Sequence, residues 1–285
     1  MDIIKYNGRS LALGQFSTDI LCDGRKGIFE CKLVGRVGEG AEARVYHTKD
    51  VFIAGRKVKR ACVLKIVNNT KLDRVVIAHL LRMTHANVEQ VYAFSTGITD
   101  SFLLSEKLDK TVQTSIGYLR SKGVEWLKNN FIRDCLNGLN FLHNKLYIIH
   151  CDIKEDNIMF SSGTFKLIDF NNSQMSSNKG KVAVDVTVLK KPPSLYENMR
   201  QWDERLDYWA LGCVLYNISA GVHLLYRVRD EYMETVLVSD ARWNVQSLTN
   251  AYALFMNNND VADELDVLVK RIMQLNNVTE FYTHT

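Results

Sequence analysis

The stretch "YIIHCDIKEDNIMF", Tyr147 to Phe160, sets a polar core of His150, Asp152, Lys154 and Asn157 between two apolar runs. Neither the period-two alternation of a strand nor the three-to-four spacing of a helix accommodates that mixture. It suits a loop that does chemistry.

Before this stretch, Val124, Leu127, Phe131, Leu136, Leu139 and Leu142 recur at threes, fours and fives, which predicts a long helix with one buried face. After it, "TFKLIDF" predicts a strand ending in Asp169, and "NNSQMSSNKGKVAVD" a polar loop. From Trp202 onward the pattern is mainly helical. "YWALGCVLYNISAGVHLLY", Tyr208 to Tyr226, is long and uncharged enough to meet a crude membrane criterion. Its Asn217, Ser219 and His223 favour a buried central helix instead.

Nearer the N-terminus, "IFECKLVG", "ARVYH" and "RACVLKIV" read as strands joined by turns. The basic run "GRKVKR", Gly55 to Arg60, reads as a solvated turn, with a nuclear import signal as the alternative. "KLDRVVIAHLLRM" predicts a short helix, and "FLLSEKLDKTV" a strand leaving into a linker. The organisation is therefore an extension over residues 1–27, a small strand-rich part over 28–106, and a larger helical part over 107–285.

The 285 residues are 46% apolar and 24% charged, the composition of a soluble globular protein, with ample length for a core. A net charge of +4, from 36 basic and 32 acidic residues, does not mark a strong nucleic-acid binder. Six cysteines without C-x-x-C spacing read as reduced thiols inside a cell, neither a disulfide frame nor a zinc site. The opening residues lack the features of a signal peptide, and no membrane association is expected.

Some chemistry-bearing features are weak alone. "GRVGEGAEARVY" puts Gly38 and Gly40 in a strand-turn-strand, which taken alone favours a plain hairpin turn over a phosphate-covering loop. Lys65 in "CVLKIV" is either a snorkelling edge residue or a held phosphate ligand. Together with H-x-D-x-K-x-x-N and Asp169-Phe170, in that order, they become specific. The set resembles the eukaryotic protein kinase family, whose motifs are G-x-G-x-x-G-x-V, V-A-I-K, H-R-D-L-K-x-x-N and D-F-G. "DYWALGCVLY" from Asp207 resembles that family's central helix with its buried aspartate, and the similarity runs from about Phe29 to about Asn277.

The resemblance implies an α+β, bilobal kinase-like fold, with a small β-rich N-lobe and a larger, mainly helical C-lobe. It also implies roles. Lys65 would hold the α- and β-phosphates of ATP, beneath a loop carrying Gly38 and Gly40, with Val45 and Val63 among the nucleotide-binding residues. Glu106 and Leu108 would meet the adenine through their backbones, behind Ser105 as a small gatekeeper. Asn157 and Asp169 would bind Mg²⁺, or Mn²⁺ in its place. Asp152 would orient the acceptor hydroxyl and take its proton, and Lys154 would sit against the γ-phosphate. Lys154 and Thr187, the activation-segment threonine, are similar to the serine/threonine branch.

The departures carry equal weight. The third loop glycine is Ala43, and D-F-G reads Asp169-Phe170-Asn171, where asparagine is expected to tolerate a positive φ. A-P-E reads Pro192-Pro193-Ser194, and "QLNNVTEF" lacks the arginine that would pair with the missing glutamate. Cys151 replaces an arginine that gathers a phosphorylated activation segment. Phosphate on Ser173, Ser176, Ser177 or Thr187 then has no evident receptor, Arg133 and Lys166 being the alternatives. Family members also pair the strand lysine with a glutamate on the next helix, roughly 18 residues later. From Ile66 to Val88 the only acid is Asp73, so the helix is expected to be truncated, with Asp73 as a local substitute.

A serine/threonine kinase using Mg-ATP on protein substrates is the implied activity. The chain is most similar to the baculoviral protein kinase 1 group, which implies a basic, serine-rich DNA-packaging substrate in an infected cell. Glu155 and Asp156 put acid beside the loop, as a basic substrate wants, while Asn217 stands where arginine-selecting relatives carry glutamate. The stunted helix leaves apolar surface for the extension or for a second copy of the chain, hence an expected homodimer. A catalytically dead binding protein and a small-molecule phosphotransferase remain as alternatives.

Overall fold

Alternation of period two governs the first hundred residues: along "CVLKIV", Cys62, Leu64 and Ile66 are buried and Val63 and Lys65 less so. The computed structural model describes residues 3–6, 9–12, 15–22, 25–39, 43–68, 73–123, 126–192, 195, 198–200, 202–221 and 223. The chain divides into two compact units. The first is Met1–Asp109 with Ile168–Ser173, and the second is Lys110–Leu167 with Gln174–Thr285.

In the first unit β1 (Ile3–Tyr6) and β2 (Arg9–Ala12) form a separate hairpin. The remaining strands are β3 (Gln15–Cys22), β4 (Arg25–Glu39), β5 (Ala43–Ile53), β6 (Arg56–Lys57), β7 (Cys62–Asn68), β8 (Val91–Thr96) and β9 (Asp100–Glu106). Their order is β4-β3-β8-β9-β7-β5-β6, and β4 also pairs with β5, so all but β6 close into an antiparallel ring. The expected extension over residues 1–27 thus carries a strand of this ring, β3, which pairs with β4 along its length and meets β8 at Leu21↔Phe94. Three register shifts along β4 and β5 give the long strands the coil that closure needs. Phe29, Cys31, Leu33, Tyr46, Leu64, Ile66, Phe102 and Leu104 share one buried core. Each such side chain contributes about 1.5–3 kcal/mol on burial.

The basic run is solvated, as read, but only Gly55 of it lies in the turn, and Arg56–Lys57 form β6. Ala54 and Gly55 both have positive φ, 48° and 74°, as the tight turn between β5 and β6 requires. Arg56, Lys57, Lys59 and Arg60 are exposed.

The helix α1 (Arg74–Arg82) has only nine residues and buries Val76, Ile77, Leu80 and Leu81. Asp73 caps it, its carboxylate accepting from the Val75 N–H at 2.8 Å. That use corrects the expectation that Asp73 supports Lys65.

The second unit begins with β10 (Lys110–Thr111) and α2 (Val112–Arg120). A helical run then spans Leu127 to Leu146, with α3 (Arg133–Phe141) between π-helical turns at Leu127–Ile132 and Leu142–Leu146. The five-residue step from Phe131 to Leu136 straddles the end of the first wide turn, where i→i+5 bonding keeps both on the buried side. β11 (Ile148–Ile149), β12 (Ile158–Ser161), β13 (Thr164–Leu167) and β14 (Gln174–Met175) follow, so the strand expected to reach Asp169 stops at Leu167. α4 (Arg205–Ala220) is the buried central helix. It ends at Gly221, whose φ of 77° suits glycine and whose absent side chain leaves room for Arg120, which donates to the carbonyls of Ile218 and Asn217. Among the described residues no helix is long and apolar enough to cross a membrane.

Candidate active site

The loop between β11 and β12 is held from beneath by Asp207 on α4. This fully buried carboxylate accepts the N–H of His150 at 2.8 Å, the N–H of Cys151 at 2.9 Å and contacts Nε2 of His143 at 2.8 Å. The double backbone grip fits Cys151 at φ 63°, a conformation costly for a residue with a side chain. Cys151 itself is buried, and burial, followed by Asp207, pushes its thiol well above the ordinary range. A buried, unreactive structural thiol results. Cys31, Cys62, Cys135, Cys151 and Cys213 are all buried and unbonded to one another.

This grip turns the polar residues into one cluster. Lys154 Nζ donates to Asp152 Oδ2 at 2.7 Å and reaches the Thr187 hydroxyl at 3.4 Å. Thr187 Oγ1 donates to Asp152 Oδ1 at 2.6 Å. Asn157 Nδ2 donates to the Asp152 carbonyl at 2.9 Å and to Oδ2 at 3.0 Å. With its amide nitrogen so committed, Asn157 offers Oδ1 to a hard cation. Asp152, Lys154, Asn157 and Thr187, chosen from sequence, are therefore brought together.

Glu155 does not face solvent. It is buried, with Oε1 2.7 Å from Lys190 Nζ and 2.9 Å from Asn217 Nδ2. Burial pushes its carboxyl up, but the charge and hydrogen bond of Lys190 and the amide of Asn217 carry it below the ordinary range. Of the two acids read as a lure for basic substrates, only Asp156 is exposed. Asn217 donates to the Glu155 carboxylate, so its amide is part of this buried cluster. Arg133 is likewise committed, to Asp134, through Nε at 3.1 Å and Nη2 at 2.9 Å.

In the first unit Lys65 lies on β7 opposite Val45 of β5 and Leu103 of β9, with Val63 opposite Ser105. Its Nζ sits 2.5 Å from Asp169 Oδ1 and 3.4 Å from Asn171 Oδ1. The positive φ expected of Asn171 belongs to Asp169, at 65°. A left-handed residue here redirects the chain after Ile168, and Asn171 instead serves as an acceptor for Lys65. Gly38 pairs with Val45. Gly40, Pro193, Ser194 and the stretch "QLNNVTEF" lie outside the described residues. Between β9 and the second unit, Glu106 N–H donates to Gln90 O at 3.0 Å and Lys107 N–H to Ala61 O at 2.9 Å, which fixes the segment with Glu106 and Leu108.

A residue not chosen from sequence completes this group. Glu89 follows α1 in the turn leading to β8, and its Oε2 accepts the Asp169 N–H at 3.4 Å. Burial pushes its carboxyl up, against the opposing charge of Lys65 and a hydrogen bond from the Ser105 hydroxyl. Glu89 lies one residue beyond Val88, in the turn and not on the helix. An acid next to the edge of "THANV" was the available signal.

Each unit by itself carries groups of the kind that magnesium and phosphate oxygens take: a held cation and a carboxylate in the first, an amide oxygen and a carboxylate in the second. The protein kinase domain model matches residues 31–279. Serine/threonine-protein kinase Kist of Rattus norvegicus is 29% identical over 164 residues, covering 52% of this chain and 39% of that protein. A serine/threonine-protein kinase of Acanthamoeba polyphaga mimivirus is 30% identical over 167 residues, covering 54% and 29%, and cyclin-dependent kinase 20 of Danio rerio is 27% identical over 199 residues, covering 64% and 55%. The matches thus span between about a third and about half of those relatives' own lengths. With its ordered motifs and a family match over most of its length, the chain belongs to the protein kinase family, in its serine/threonine branch.

Proposed function

We propose that the chain transfers the γ-phosphate of Mg-ATP to serine and threonine hydroxyls of proteins. The observation that carries this is the Thr187 hydroxyl donating to Asp152 Oδ1 with Lys154 alongside, since a base that accepts one threonine hydroxyl is built to accept another. Bound Mg²⁺ would neutralise charge on the transferring phosphoryl group. Asp152 takes the acceptor proton, Lys154 supplies positive charge next to it, and Asn157 Oδ1 and Asp169 are the oxygen donors for the cation. Lys65 binds phosphate, and the backbones of Glu106 and Leu108 bind adenine, with Gly38, Gly40, Val45 and Val63 covering the nucleotide.

Incubation with labelled ATP, Mg²⁺ and a basic protein, followed by phosphoamino-acid analysis, tests the reading. Asp152→Asn should keep the melting temperature and lose about 10²–10⁴-fold in rate, the scale of one positioned base. An Asp152→Asn variant as fast as the parent refutes it, and Asp169→Asn should weaken metal-dependent nucleotide binding instead.

The finer proposals have narrower support. A basic, serine-rich DNA-packaging substrate in a virus-infected cell is supported by exposed Asp156 and by the likeness to a mimivirus kinase. A cytoplasmic or nuclear site is supported by the buried free thiols. A homodimer is supported by the exposed apolar side chains of Ile28, Val34 and Val37 on β4 and Val75 on α1, and light scattering at twice the 32.6 kDa chain mass would reveal it.

A further inference from the structure

The proposed kinase chemistry needs Lys65 in a fixed place, yet α1 offers it nothing. The helix contains no acid, its buried side chains are Val76, Ile77, Leu80 and Leu81, and Asp73 is spent on the cap. A cation whose carboxylate partner is Asp169 has a difficulty of its own. Asp169 is also the donor proposed for Mg²⁺, and a carboxylate that turns to a metal releases the lysine.

We propose that Glu89 is the positioning residue for this site, a carboxylate supplied by the turn after α1 that holds Lys65 and Asp169 in register and is itself seated by the Ser105 hydroxyl. The inference rests on the kinase reading of Lys65 and Asp169.

Three observations carry it. The first is contact: Glu89 Oε2 accepts the Asp169 N–H at 3.4 Å while Asp169 Oδ1 is 2.5 Å from Lys65 Nζ, so the carboxylate touches the backbone of the residue whose side chain holds the lysine. The second is support. The turn carrying Glu89 is braced on both sides, by Asn87 N–H on His85 Nδ1 at 3.1 Å and by Gln90 N–H on Glu106 Oε1 at 2.8 Å. A group on such a segment moves little, which is what positioning needs. The third is accommodation. Position 105 lies on β9 opposite Val63, one step along from Lys65 and Leu103. A serine there is small enough to admit a carboxylate and donates a hydroxyl to it, where a bulky apolar side chain would evict it.

The short helix then has a physical explanation. With the acid moved into the following turn, α1 has only to cover apolar surface with one face, and nine residues suffice for that.

The test uses the full chain and four variants, Glu89→Gln, Glu89→Asp, Ser105→Met and Lys65→Met. Glu89→Gln is expected to keep the parent melting temperature and to lower kcat/KM for Mg-ATP by about 10²-fold, the scale of a misplaced catalytic group. Glu89→Asp should recover part of that loss, and Ser105→Met should resemble Glu89→Gln. Acylation of Lys65 by an amine-reactive ester, read by mass spectrometry without nucleotide, should be faster in Glu89→Gln than in the parent. Parent kcat, KM and acylation rate in Glu89→Gln, alongside an inactive Lys65→Met, overturn the proposal and leave the kinase reading standing. Should the parent transfer no phosphate, that reading fails by itself, and the acylation rate alone decides whether Glu89 holds Lys65.

Discussion

At the residue scale the geometry of the catalytic loop depends on Asp207. One buried carboxylate fixes two consecutive N–H groups and a histidine, and it holds Cys151 at a φ that a side chain resists. Asp207→Asn replaces one acceptor oxygen with a donor facing an N–H. We expect a loss of about 1.5–3 kcal/mol for each charge-assisted bond broken, read as a lower urea midpoint with an unchanged slope. Thr187 gives a second test. Its hydroxyl already donates to Asp152, so a negative group there opposes the base. Thr187→Glu should reduce kcat/KM by at least about tenfold, about 1.4 kcal/mol. Thr187→Ser should stay near the parent, and phosphatase treatment should not lower activity. Asp152, Lys154, Asn157 and Thr187 were legible because their order along the chain encodes one loop and its cover. Glu89 was not, because the expectation tied the acid to a helix, whereas here it comes from a turn. Glu155 was misplaced for a related reason: a sequence shows a charge but not the Lys190 and Asn217 groups that consume it.

At the scale of elements, α1 and the Glu155 cluster make separable predictions. Asp73→Ala removes the cap of α1 and should cost about 1 kcal/mol of stability, seen as a lower melting temperature, with KM for Mg-ATP unchanged. Such a result would separate capping from lysine support. The Glu155 carboxyl lies below its ordinary 4.5 in the folded state, so its contribution is complete above that value and is lost as pH falls through the folded one. Thermal melting of the parent should therefore be flat near neutrality and fall in acid. Lys190→Met strands a buried carboxylate and should cost about 3–5 kcal/mol, whereas Lys190→Met with Glu155→Leu should recover much of it. Spacing made these elements legible unevenly. The short helix followed from the early arrival of "THANV". The wide turns before and after α3 left a trace in the five-residue step from Phe131 to Leu136, which an ideal helix does not produce.

At the scale of the whole molecule, the division into a strand-rich first part and a helical second part was legible from the change of period near Glu106, and the first compact unit runs to Asp109. The closed ring was not. Residues 1–27 are polar and glycine-punctuated, and nothing in them names a partner dozens of positions away. Deleting residues 1–24 should leave β4 and β8 with open edges, and size-exclusion chromatography should then show aggregation.

The same ring has a consequence for how the chain is made. β3 and β4 leave the ribosome together and can pair as a hairpin, Cys22 against Arg25, before the rest of the ring exists. The second partner of β3 is β8, whose Phe94 emerges only after β4, β5, β7 and α1. Joining the two closes a long loop, whose entropy is paid late. The nascent chain therefore carries an unfinished seam through most of the synthesis of its first unit, and a codon-level pause just after β8 is where that seam would have time to shut.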